Sequence, residues 1–266
     1  MRTLRLWTLI LAAALAAGAC HAAPLTRAQA LKALEQPDTG ARIAGIERLA
    51  EIGKMVDVDR LLGRLNDTDP KVRALAAAAT WQIWSRSGDP TIDKLFARGL
   101  EQMQASALTQ ALETFSVIVR RKPDFAEGWN KRATIYFLLG RNEESLKDCD
   151  EVFKRNRKHF GALAGAGQIH LQLGNAELAL DFFRRAVDVN PNLEGPKEMI
   201  PMLEQLLRDQ RPGTHASRGS RRNFDWTDTA SSNRSSGPQS KPKCPSAMSY
   251  QRLKVGISAN ACRATA

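Results

Sequence analysis

Three stretches of this 266-residue chain align at a spacing of 34 residues, and that register confines the fold to an array of like units. Gly99, Ala133 and Gly167 fall in step, as do Ala111, Ser145 and Ala179, then Phe115, Cys149 and Phe183, then Pro123, Arg157 and Pro191. Two antiparallel helices can approach closely only where small side chains face each other, and the first two columns supply those positions. Gly140 and Gly174 stand where a first helix must stop, a place that favours a left-handed residue. Pro123 and Pro191 close the second helix of their units. Trp129 and Tyr136, seven residues apart, share one helix face and are expected to pack between helices.

These residues resemble tetratricopeptide repeats. The third copy carries Gly167, Gly174, Ala179, Phe183, Ala186 and Pro191; the second keeps Trp129, Tyr136 and Gly140 but has Ser145, Cys149 and Arg157 where the family prefers alanine, an aromatic and proline. The resemblance places three repeat units over 91–194. Met199, Met202, Leu203, Leu206 and Leu207 then recur at helical spacing, as a capping helix over 195–210 would require. It implies an all-α, right-handed solenoid of helical hairpins, whose first helices line a concave groove that receives a peptide or a helix of another protein. On this chain the implied groove positions are Phe96, Leu100 and Met103, then Asn130, Thr134 and Phe137, then Gln168, Leu171 and Gln172. The partner-binding candidates are Phe96, Met103, Asn130, Thr134, Phe137, Gln168 and Gln172. The lysine-and-asparagine clamp that some relatives use for terminal carboxylates is not reproduced. Asn130 and Lys131 are present, but Thr134 replaces the second amide, and the mixture suits an uncharged or amphipathic ligand.

A shorter period precedes the array. Asp38 to Arg42 and Asp69 to Arg73 lie 31 residues apart, each leading into an alanine-rich apolar run. Asp69 is expected to cap a helix that starts at Pro70, Asp89-Pro90 repeats the device, and Thr26 with Gln29 forms a capping box. Residues 24–90 resemble HEAT-like helical repeats, with a simple hairpin cap on the main array as the alternative.

The two ends differ from the middle. Arg2 and Arg5 precede an apolar run from Leu6 to Ala17, too short to span a bilayer, and small residues follow. Residues 1–23 therefore read as a secretory signal peptide, cut after Ala19 or Ala22, and the expected location is the periplasm of a bacterium. Ala17 to Cys20 also resembles a bacterial lipoprotein box, so lipidation at Cys20 and membrane anchoring form the alternative. The net charge is +11, but the tail from Pro212 holds nine basic and two acidic residues, leaving the repeat region close to neutral. That tail, 211–266, is rich in serine, arginine, glycine and proline and is expected to be disordered. No nucleic-acid partner is expected. A tail that tethers the array to anionic lipid or polymer is the second functional class.

Enzyme chemistry is poorly represented. The four histidines show no metal-ligand spacing on one helix face, and Gly161, Gly165 and Gly167 lack the strand and Lys-Ser/Thr ending of a phosphate loop. No cofactor, metal or catalytic residue is expected. The chain reads as an exported, non-enzymatic scaffold for protein–protein interaction in the cell envelope.

Overall fold

The computed structural model describes residues 23–210; the expected leader up to His21-Ala22, with Cys20, and the basic tail from residue 211 lie outside them. All regular elements among the described residues are helical. They divide into two compact units, 23–97 and 98–210, at a point within one helix.

The first unit contains α1 (Arg27–Ala33), α2 (Thr39–Ile52), α3 (Val58–Gly63), α4 (Pro70–Trp84) and the start of α5 (Pro90–Gln104). Its helix starts follow from the sequence. The Thr26/Gln29 capping box forms. The Asp69 carboxylate accepts from the Lys71 and Val72 amides at 2.8 and 3.2 Å, with Pro70 as the first helical residue. Asp89 does the same for Thr91 and Ile92 at 2.7 and 3.3 Å. Asp69→Ala should lower the unfolding free energy by about 1 kcal/mol in urea titrations, the usual effect of a lost cap. The 31-residue period has a structural basis: each arginine folds back onto the loop before its own helix. Arg42 donates to the carbonyls of Gln36 and Pro37, and Arg73 to those of Asp67 and Thr68, so both reach five and six residues back. Arg42 also pairs with Asp67, which ties the two loops together.

The second unit contains the rest of α5, then α6 (Leu108–Arg121), α7 (Ala126–Leu138), α8 (Asn142–Arg155), α9 (Phe160–Gln172), α10 (Ala176–Val189) and α11 (Glu194–Gln210). The α7–α8 and α9–α10 pairs have equal lengths, 13 then 14 residues, and turn on Gly140 and Gly174 at φ +74° and +76°. A Cβ is strained in that conformation. Arg157 occupies the place of the closing proline of repeat two. The turn there is held by Asn156, whose side chain accepts from the Lys158 amide at 3.1 Å, as Asn190 does from Asn192 at 3.0 Å.

Packing inside the hairpins explains the small-residue columns. A Cβ on Gly99 would meet the Phe115 ring at 2.6 Å, and one on Gly167 would meet Phe183 at 2.7 Å. Repeat two has Ala133 instead, and the smaller Cys149 shares its buried cluster with Ala166 and Ile169. Ser145, in the second small column, donates its hydroxyl to the Ala133 carbonyl at 2.7 Å in the helix–helix contact. Burial, reinforced by Asp148 and Asp150, pushes the Cys149 thiol up to about 12, so this cysteine is an inert packing residue. α11 covers the end of the array: Leu203, with Met199, Ile200 and Leu207, packs on Ala179, Leu180 and Phe183, whereas Met202 and Leu206 of the expected spacing stay 58% and 43% exposed.

Candidate functional site on the first-helix face

On α7 the residues Glu127, Asn130, Lys131, Thr134, Phe137 and Leu138 recur at steps of three and four, forming one stripe. α9 lies beside α7 and is also packed on α8 and α10. The stripe therefore runs along the layer of first helices, where a groove is expected.

Its N-terminal end is polar and closed. Glu127 and His159 have no side-chain exposure and meet at 2.8 Å, Oε2 to Nε2. The other ring nitrogen of His159, Nδ1, accepts from the Ala162 amide at 3.1 Å and so caps α9. A nitrogen that accepts carries no proton, which assigns the neutral Nε2–H tautomer and makes His159 the donor to Glu127. The Asn130 amide donates to the same oxygen of Glu127 at 3.0 Å, and the Lys131 ammonium lies 3.0 Å from the other. Burial alone would raise the Glu127 carboxyl. The Lys131 charge and the His159 contact outweigh it, and the group titrates below the ordinary carboxylate value.

The C-terminal end is apolar and open. Leu138 is 48% exposed and Leu139 39%, and Leu173, after α9, is 45% exposed. Phe137 is half-buried against the Ala133–Ile169 cluster and keeps one side free.

Three expected ligand contacts are therefore corrected. Phe96, Asn130 and Gln168 are 4%, 7% and 7% exposed and cannot take a partner directly. The Asn130 amide is spent on Glu127, and α9, which carries Gln168, packs on α7, α8 and α10. Met103, Thr134 and Phe137 are half-buried and Gln172 is exposed; the Thr134 hydroxyl donates to the Asn130 carbonyl at 2.9 Å. Trp129 and Tyr136 also depart from expectation. Neither is fully buried: Arg132 lies 4.9 Å over the Trp129 ring, Arg155 covers the same ring at 4.9 Å, and Arg141 stands 4.6 Å over Tyr136. These guanidinium groups are ion-paired with Asp148, Glu151 and Glu144, so the ladder is a covering layer with no net charge to offer a ligand. Among the described residues no group of three or more histidine, cysteine, aspartate or glutamate side chains is arranged to hold a metal ion.

Equal helical hairpins, glycine turns, matched small-to-large contacts and a terminal covering helix define a helical-hairpin repeat protein. The tetratricopeptide repeat family matches residues 126–159 and 161–193, the α7–α8 and α9–α10 hairpins. A TPR repeat-containing protein of Rhizobium etli is 31% identical over 155 residues, 58% of this chain and 76% of that protein. The chain belongs to the tetratricopeptide repeat proteins. The DnaJ homolog subfamily C member 3 of Mus musculus is 26% identical over 120 residues, 45% of this chain but only 24% of that longer protein. Among solved structures, the Sgt2 TPR domain of Aspergillus fumigatus aligns with 52% of this chain and 92% of that domain, at 15% identity and a TM-score of 0.44.

Proposed function

We propose that this protein is an exported, non-enzymatic interaction scaffold that receives a segment of another protein on the first-helix face of its repeats. The supporting observation is the exposed Leu138 at the open end of the α7 stripe, next to Phe137, which is only partly buried. Repeat arrays present their ligand surfaces as continuous faces of this kind. Export to a bacterial periplasm belongs to the same reading and is supported by the charged, apolar and small-residue order of residues 1–23.

The test is affinity capture from the cell envelope with the mature chain beside its Leu138→Asp/Leu173→Asp variant. Both side chains are nearly half exposed, so the variant should melt with the parent. A defined client retained by the parent should be lost by the variant, with affinity reduced by about tenfold or more. A client held equally by both places the binding surface elsewhere. Attachment that disappears in moderate salt and is indifferent to the variant would favour the basic tail as a tether.

A further inference from the structure

We propose that the turn 54–57, between α2 and α3, is a bilayer-contact surface whose tip, Met55 and Val56, enters the lipid interface beside the end by which the exported chain would be anchored. The inference rests on the export reading and takes nothing from the first-helix face. Turns ordinarily carry glycine, proline, asparagine, aspartate or serine. This one carries two large apolar side chains in succession. Val56 is 73% exposed, the highest value among the described large apolar residues, and Met55 is 52% exposed. The bonds that close the turn make them its tip. The Asp57 amide donates to the Lys54 carbonyl at 2.8 Å. The Asp57 carboxylate, itself buried, accepts from the Lys54 amide at 2.8 Å and from Arg27 Nε at 2.7 Å. The same contacts fix where the chain enters the fold. Arg27 is the first residue of α1, and Arg48 donates to the Leu25 carbonyl at 2.7 Å, so residues 25–27 are pinned at two points, one of them the turn itself. Cys20, the position a lipoprotein box would lipidate, stands five residues before Leu25, a stretch of at most about 18 Å when extended. A chain anchored there keeps this turn next to the bilayer. Lys54, exposed at the foot of the tip, adds a positive charge suited to lipid phosphate. A protruding apolar tip with a basic foot suits a fluid interface, which closes around it without a matching cavity.

Methionine oxidation tests the contact, with Met202 of α11, 58% exposed, as the reference inside the same chain. The full mature chain from residue 20, carrying Cys20→Ser and an N-terminal histidine tag, is held on vesicles of phosphatidylethanolamine and phosphatidylglycerol that contain a nickel-chelating lipid. Salt at about 0.5 M keeps the basic tail off the surface. After brief chloramine-T treatment, peptide mass spectrometry should show the Met55-to-Met202 oxidation ratio lowered at least about threefold relative to the chain free in solution. Val56→Asp, at so exposed a site, should melt with the parent and return the ratio to its free value. A ratio unchanged on vesicles that hold the chain overturns the inference, as does a fall that Val56→Asp leaves intact. Met55 shielded in the intact cell envelope but free on vesicles would give the tip a protein partner, and overturns the lipid contact too. Client capture has no part in these readings, so the first-helix face stands or falls separately. An untagged chain recovered from the cytoplasm with its leader uncut would remove the export reading and this inference with it.

Discussion

Glu127→Ala should lower the unfolding free energy by about 3–5 kcal/mol, the range for removing one partner of a buried charged cluster. The loss would exceed that of any single surface pair. Its removal takes an acceptor from the Asn130 amide and the His159 N–H and a counter-charge from Lys131, and losing an acceptor inside the fold is itself destabilising. The effect crosses a repeat boundary, because Glu127 opens α7 while His159 caps α9. Urea denaturation of the two chains would measure it, and a change under about 1 kcal/mol would show that the cluster is not the joint proposed. The pH dependence has a definite sign. The folded carboxyl titrates below its ordinary value of 4.5, so its contribution is complete above that pH and fades as pH falls through the folded value. The gap between parent and variant should be flat near neutrality and close only in acid.

The second large effect is a coupling. Cys149→Phe restores the residue type of repeats one and three, yet alone it should destabilise by about 1–3 kcal/mol, as overpacking does. A Cβ at the matching glycines lies 2.6–2.7 Å from the facing ring, so a phenylalanine opposite Ala133 has no room. Ala133→Gly alone should also destabilise, by about 1 kcal/mol, through helix propensity. Together the two changes should cost less than the sum, with a favourable coupling of at least about 1 kcal/mol. Strict additivity across the four chains would show that the two positions do not compete for space.

The 34-residue register carried the hairpins and their glycine turns, and the helical spacing of Met199 to Leu207 carried the capping helix, because each is fixed by a local rule of helix ending or close packing. It was less informative about the site. The groove positions follow from the tetratricopeptide resemblance, and a resemblance gives the face of a helix but not what its neighbours do to each side chain. Asn130 is the clearest instance: its place is on the expected stripe, and its amide is turned inward by a carboxylate one turn away. Glu127 and His159 were missed, although a signal was present. His159 stands in register with Phe125 and Leu193, and a histidine in an apolar column calls for a buried partner. That partner lies 32 residues back, outside any local motif. Trp129 and Tyr136 were assigned to the core because aromatic residues usually go there, whereas arginines from neighbouring turns cover them here.

The bond from the Ser145 hydroxyl to the Ala133 carbonyl bears on how such an array can be rebuilt. Its three units share a spacing but not a set of interior parts. Repeats one and three join a glycine to a phenyl ring, while repeat two joins alanine to cysteine and adds a hydroxyl clasp. A chain in which repeat two is exchanged for a copy of repeat three would keep every turn and every helix length. It would lose the clasp and the His159 joint, so the order of the units is itself written into their interiors.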